Sequence, residues 1–153
     1  MDKRRIGVRA IIFKDGGLLA NKFHEEGGES AHWATPGGGL EPHEGLVEGL
    51  IREIIEETGV TPHIGRLLFV QQFRSGRLDR DEELEFFFHI TNPEDFVSID
   101  LNATTHGASE LTKMEFIAPT EYLLPQFLQT IDIDSYISEQ KPVFLFTELS
   151  PQA

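Results

Sequence analysis

The amino-acid sequence predicts an α/β fold, a mixed sheet with helices packed on it, and three observations carry that reading. The first is the order of elements: apolar and β-branched runs of strand length, one long helical segment, more strands, then a carboxyl-terminal helical segment. The second is the central segment, residues 42–58, where Leu46, Val47, Leu50, Ile51, Ile54 and Ile55 form a broad apolar face to be buried. The third is size. A chain of 153 residues, 39% hydrophobic and without repeats, low-complexity runs or a linker, fits one domain over residues 1–153.

Each element has a local justification. Arg5–Phe13 is apolar and β-branched enough for a buried strand, and Asp15-Gly16-Gly17 is a hairpin turn into a returning strand, Leu18–Phe23. Polar His24–Ala31 reads as a loop, and His32–Thr35 as a brief extended segment carrying the single tryptophan, Trp33. Pro36-Gly37-Gly38-Gly39 permits close backbone approaches that side chains forbid. The helix is expected to start near Pro42, because proline is tolerated in a first turn, and to end around Thr58 with Gly59 as a left-handed cap. Arg66–Phe73 and Leu84–Ile90 read as strands joined by the charged loop Arg74–Glu83. Asn92-Pro93-Glu94-Asp95 is a turn. Thr112–Ala118 is a further strand, Thr120 an N-cap candidate for a helix over Leu123–Ile133, and Val143–Thr147 an edge strand.

Charge narrows the partners. A net charge of −13 argues against a nucleic-acid polymer, whose backbone requires clustered Lys and Arg. An anionic small molecule then needs local compensation, such as a divalent cation. The absence of cysteine excludes disulfides, thiolate metal sites and cysteine nucleophiles. The amino-terminal apolar stretch is short, interrupted by Arg9 and without a small-residue cleavage site, so no signal peptide is expected. No segment reaches membrane-spanning length, which leaves a soluble cytoplasmic protein without membrane contact as the expectation.

The polar side of the central helix is unusual. At 100° per residue, Glu53, Glu56 and Glu57 fall within about 100° of one another. Like charges three or four apart cost helix stability. One such glutamate is ordinarily a solvated residue; three together on a helix anchored by its other face suggest a hard-cation site. The spacing is also specific. Gly38 is followed after five residues by Glu44 and after seven more by Arg52-Glu53, with Ile54, Glu56, Glu57, Gly59 and Val60 completing the pattern. Seven positions demand one residue type, so a chance match is on the order of one in a hundred million per window at average usage.

This stretch, Gly38–Val60, resembles the Nudix box at every position, and the surrounding order of elements resembles the Nudix fold over most of the chain. The resemblance implies an α/β/α sandwich with the box helix at its centre. It also implies hydrolysis of a nucleoside diphosphate linked to another moiety, by water attack on phosphorus with Mg²⁺ or Mn²⁺. Carried over, Glu56 and Glu57 would ligate metal, Glu53 would be a ligand or the general base, and the Gly37 carbonyl a further ligand. Arg52 would orient the carboxylates, and Gly38 and Glu44 would support the network. Glu110 is the second candidate for the base, with Glu83 and Glu85 as rivals that read equally well as surface carboxylates.

Substrate contacts are less legible. Arg9 and Lys22 are placed on the first hairpin by analogy with the family, and Trp33, Phe73, Phe86 and Phe88 could stack on a base, although strand aromatics are more often core. Arg74, Arg77 and Arg80 could meet phosphates or lie in a solvated loop. The histidines show no metal-type spacing. Residues 71–80 lack the proline and the tyrosine that mark some subgroups, so a nucleoside triphosphate and an ADP-sugar both stay open. An isoprenoid diphosphate isomerase is disfavoured by the missing cysteine, and a nucleotide sensor without turnover by the intact box. A homodimer is compatible with the family, and nothing in the sequence shows one.

Overall fold

The computed structural model describes residues 3–76 and 78–149. The first apolar run forms β1 (Arg4–Ile11) and continues into the short β2 (Phe13–Lys14). Asp15 and Gly16 then turn the chain with φ of 50° and 80°, the left-handed pair that a tight hairpin demands. The chain proceeds through β3 (Gly17–Glu25), β4 (Gly28–Glu29), β5 (Trp33–Ala34), β6 (Gly37–Gly39) and α1 (Leu46–Thr58). Next come β7 (Ile64–Arg74), β8 (Glu82–Ile90), α2 (Gly107–Glu110) and β9 (Leu111–Ile117), and last β10 (Leu123–Leu124), α3 (Ile133–Ser138) and β11 (Phe144–Thr147).

Two sheets result. The first runs β11-β7-β8-β1-β6 and is mixed: β1 is parallel to β8 and antiparallel to β6, while β7 is antiparallel to β8 and parallel to β11. The second is built on β3, which pairs with β2, β4, β5 and β9, and β10 extends it along β5. Period-two alternation divides the apolar side chains of the first sheet between two cores. Val8, Ala10, Phe88 and Ile90 pack with Leu50 and Ile54 of α1 on one face. Ile11, Phe69 and Phe87 pack with Phe127, Leu128 and Ile133 on the other. Helical layers on both faces of a mixed sheet make the α/β/α sandwich. Each fully buried Leu or Ile contributes about 1.5–3 kcal/mol, so the core that takes in Leu50 and Ile54 fixes where α1 sits.

Three expectations are corrected. The helix starts at Leu46, not near Pro42: His43 is left-handed at φ 65° and Gly45 is extended at φ −72°, ψ 157°. Proline permits a first turn without enforcing one, and here the extra loop lets Glu44 fold back onto the Glu41 N–H at 3.0 Å. The apolar face is narrower than the sequence suggests, since Val47 and Ile55 are 44% and 38% exposed while Glu57 and Thr58 take part of the buried side. Leu123–Ile133 is not a helix. Leu124 precedes a proline, which favours extended backbone, and Leu123–Leu124 pairs with Trp33–Ala34 in the second sheet. A short 3-10 turn follows at Gln126–Gln129, and α3 begins only where the Asp132 carboxylate accepts from the Ser135 N–H. Thr120 sits in a turn. β11 lies at the outer position of its sheet, as an edge strand should. Among the described residues no helix is long and apolar enough to cross a membrane.

Candidate active site

The site forms where α1 passes β6, the short glycine strand at the edge of the first sheet. Gly37 pairs with Arg9 across β1–β6, and its φ of 142° brings the backbone so close that a Cβ would lie 2.0 Å from the Val8 carbonyl oxygen. At Gly38 a Cβ would lie 2.5 Å from the Glu53 carboxyl carbon. Gly37 is therefore required by the strand beside it, while at Gly38 an added Cβ would displace the carboxylate that lies on it.

Arg52 organises the carboxylates. Its Nε and Nη2 donate to the two oxygens of Glu44 at 2.7 and 2.9 Å, Nη1 donates to Glu53 at 3.1 Å and Glu56 at 3.3 Å, and Nη2 also reaches the Gly39 carbonyl at 3.2 Å. Forked, charge-assisted bonds of this kind hold geometry as well as charge. The Arg52 guanidinium, with the Glu41 N–H, holds the Glu44 carboxyl down at about 2. Glu53 moves the other way, pushed up by burial against the opposing pull of Arg52. Glu57 is 5% exposed and accepts from the Gly37 N–H at 3.2 Å. Burial pushes it up to about 8; Glu53 and Glu110 add to the rise, and Arg9 and the Gly37 bond oppose it.

A cavity of about 650 Å³ opens beside these groups, within the range of small-molecule sites. Its wall includes Gly37, Glu57, Glu110, Glu83 and Glu85 together with Arg5, Arg9 and Arg80. Arg9 donates to Glu85 at 2.9 Å and to the carbonyls of Thr35 at 3.1 Å and Gly37 at 3.4 Å. Burial disfavours its charge, and Glu85 more than restores it. Glu83 is shared between Arg5 and Arg80, each at 3.3 Å. The wall carries three arginines against six glutamates, so phosphate there needs a cation as well as the guanidinium groups.

The divalent cation implied by the box can be tested against these donors. Glu53, Glu56, Glu57 and the Gly37 carbonyl are all oxygen donors, the chemistry that Mg²⁺ and Mn²⁺ prefer. Glu57, buried and pushed toward its neutral form, is a carboxylate that a cation would restore to charge. The donor set therefore fits. Among the described residues no three acidic or histidine side chains converge as a cage.

The other sequence candidates fall in different places. Lys22 lies over the Trp33 ring at 5.2 Å and 3.7 Å from Glu29, and Trp33 belongs to a buried core. Phe86 packs against the core beneath α1. None of these three is on the cavity wall, whereas Phe73 and Arg80 are; Arg77 lies outside the described residues. Spacing gave no sign of His106, whose Nδ1 is 3.2 Å from Glu56 and whose backbone N–H donates to the Glu56 carbonyl at 3.0 Å. Asn21 and Gln71, both buried on the cavity wall, were also missed. Their strands are read correctly from sequence, but not which side chains meet.

A family model described as the NUDIX domain matches residues 3–135. The chain belongs to the Nudix family. Among its relatives is an RNA pyrophosphohydrolase of Coxiella burnetii, 32% identical over 117 residues, covering 65% of this chain and 50% of that protein. Another is a CTP pyrophosphohydrolase of Escherichia coli, 33% identical over 72 residues, covering 46% and 53%. The chain thus spans about half the length of the curated relatives it matches. Solved structures agree with the Nudix fold: a Nudix hydrolase from Nitrosomonas europaea aligns at TM-score 0.67 and 20% identity, covering 91% of this chain and 92% of that one. The Escherichia coli ORF135 protein aligns at TM-score 0.65 and 21% identity, covering 92% and 95%.

Proposed function

We propose that this Nudix protein hydrolyses a pyrophosphate bond in a small nucleotide, a nucleoside diphosphate joined to further phosphate or another moiety. The observation that carries the reading is the meeting of a carboxylate helix, tied by Arg52 and Gly37, with a cavity whose wall sets Arg5, Arg9 and Arg80 among further glutamates. The relatives named as pyrophosphohydrolases support the bond type, and the CTP-acting relative supports a nucleoside triphosphate over an ADP-sugar.

Glu53, Glu56, Glu57 and the Gly37 carbonyl would hold Mg²⁺ or Mn²⁺, which when bound supplies charge neutralisation and an activated water. Arg9 offers the phosphates a part-buried, firmly protonated guanidinium, with Arg5 and Arg80 beside it. Arg52 keeps Glu44, Glu53 and Glu56 from drifting apart under mutual repulsion. Proton removal from the attacking water is assigned to Glu110, since it is on the cavity wall and close enough to Glu53 and Glu57 to raise both; Glu53, tied to Arg52 under Gly38, serves as a ligand.

The test is a panel of nucleoside triphosphates, ADP-ribose, dinucleoside polyphosphates and nucleotide sugars, scored by product identity. Hydrolysis is expected with Mg²⁺ or Mn²⁺, to stop in EDTA and to return on adding metal. Glu110→Gln is expected to lower kcat by two to four orders of magnitude at near-constant KM. A panel without turnover in either metal overturns the reading.

A further inference from the structure

The cavity wall also carries amide side chains, Asn21, Gln71 and Gln126. Asn21 on β3 and Gln71 on β7 come from different sheets, line the same cavity and are each 5% exposed. The Asn21 Oδ1 is buried and has no hydrogen-bond partner. A buried acceptor without a partner is destabilising, and a donor on a ligand in the cavity would satisfy it.

Gln71 differs in being locked. Its Nε2 donates to Glu85 Oε1 at 3.3 Å, and Glu85 Oε2 accepts from Arg9 Nε at 2.9 Å. Gln71 and Glu85 are also direct partners across β7–β8, so the contact is set by strand register. A carboxylate bound to arginine only accepts. Gln71 must therefore turn its NH₂ toward it, which leaves Oε1 as the group available to a ligand. Phe23, His32 and Phe73 line the same cavity, with the Phe23 and His32 rings edge to face at 5.1 Å. Aromatic edges with two acceptors describe a slot for a heteroaromatic ring that carries a donor.

We propose that Gln71 and Asn21 select nucleotides whose base carries an exocyclic amino group, with Glu85 as the positioning residue that fixes the direction of the Gln71 amide. This rests on the nucleotide pyrophosphohydrolase reading above. Asn21 can rotate its amide to suit an amino or a keto group. Gln71 cannot do so without breaking its bond to Glu85, so a carbonyl placed there meets an acceptor and is repelled.

The experiment compares kcat/KM for two pairs that differ at this group, CTP with UTP and ATP with ITP. In the wild type the amino member of at least one pair is expected to be favoured about tenfold or more, the usual size of discrimination from one lost hydrogen bond. Gln71→Met, similar in size but without an acceptor, is expected to bring that ratio close to one. Glu85→Gln, which leaves Gln71 in place but frees its amide, is expected to do the same. A purely structural role would change the rates of both members together and leave the ratio alone. Wild-type ratios near one, or a preference for UTP and ITP, overturn the proposal whether or not either variant folds. Hydrolysis of none of the four nucleotides overturns the parent reading and this one with it; hydrolysis of all four at equal efficiency overturns this one alone.

Discussion

Replacing Glu57 by Gln is expected to make the metal-free protein more stable and the enzyme less active, with a stability gain that grows with pH. Burial raises the Glu57 carboxyl from an ordinary 4.5 to about 8. The native state therefore holds a proton that the unfolded chain has already released between those two values. Stability falls as pH climbs through that interval, and below 4.5, where both states are protonated, there is no penalty. At about 1.4 kcal/mol per pH unit the whole interval amounts to about 5 kcal/mol, a ceiling because rotation toward the cavity relieves part of it. Gln cannot ionise, and it keeps an oxygen for the Gly37 N–H now 3.2 Å from Glu57. The assay is thermal melting of both proteins in EDTA at pH 5 and pH 9. In a protein of this size 1 kcal/mol shifts Tm by roughly 2–4 °C, so the variant is expected to melt several degrees above the wild type at pH 9 and close to it at pH 5. Other titrating groups largely cancel in the difference. A gap that is the same at both pH values, or a variant less stable at pH 9, refutes the reasoning. Added Mg²⁺ is expected to raise the wild-type Tm at pH 9 more than that of the variant.

Two further outcomes follow from neighbouring residues. The Glu44 carboxyl, held at about 2 by the Arg52 fork, contributes stability above its ordinary 4.5 that is lost as pH falls toward 2. Glu44→Gln is therefore expected to flatten the acid side of the Tm–pH profile, so that variant and wild type converge only as pH falls to about 2. Gly38→Ala places a methyl 2.5 Å from the Glu53 carboxyl carbon, and a side chain moves more readily than the backbone. Its kcat is expected to fall about a hundredfold with Tm lowered by only a few degrees; collapse of the circular dichroism spectrum would show instead that the fold depends on this contact.

The box was legible because its chemistry is local. Glu53, Glu56 and Glu57 meet through helix periodicity, and Arg52 reaches back one loop to Glu44, so spacing along the chain is nearly spacing in space. Most strands were legible for the same reason, from runs of apolar residues and turn chemistry. Leu123–Ile133 was not, since its pattern fits a helix as well as a strand and the competing partner, Trp33–Ala34, lies about ninety residues earlier. His106 was hidden likewise: its partner Glu56 is fifty residues away, and nothing near either residue announces the other.

What the sequence by itself determined is the family, the carboxylate helix and its capped end at Gly59, because short-range steric and periodic rules decide these. Only the tertiary structure decided the cavity. Register across β1, β8 and β7 places Arg5 opposite Glu83 and Gln71 opposite Glu85, and packing of the second sheet brings Asn21 to the same space. A one-residue slip in any strand would turn these side chains to the opposite face. The cavity wall is therefore a property of pairing, and no window of the chain contains it.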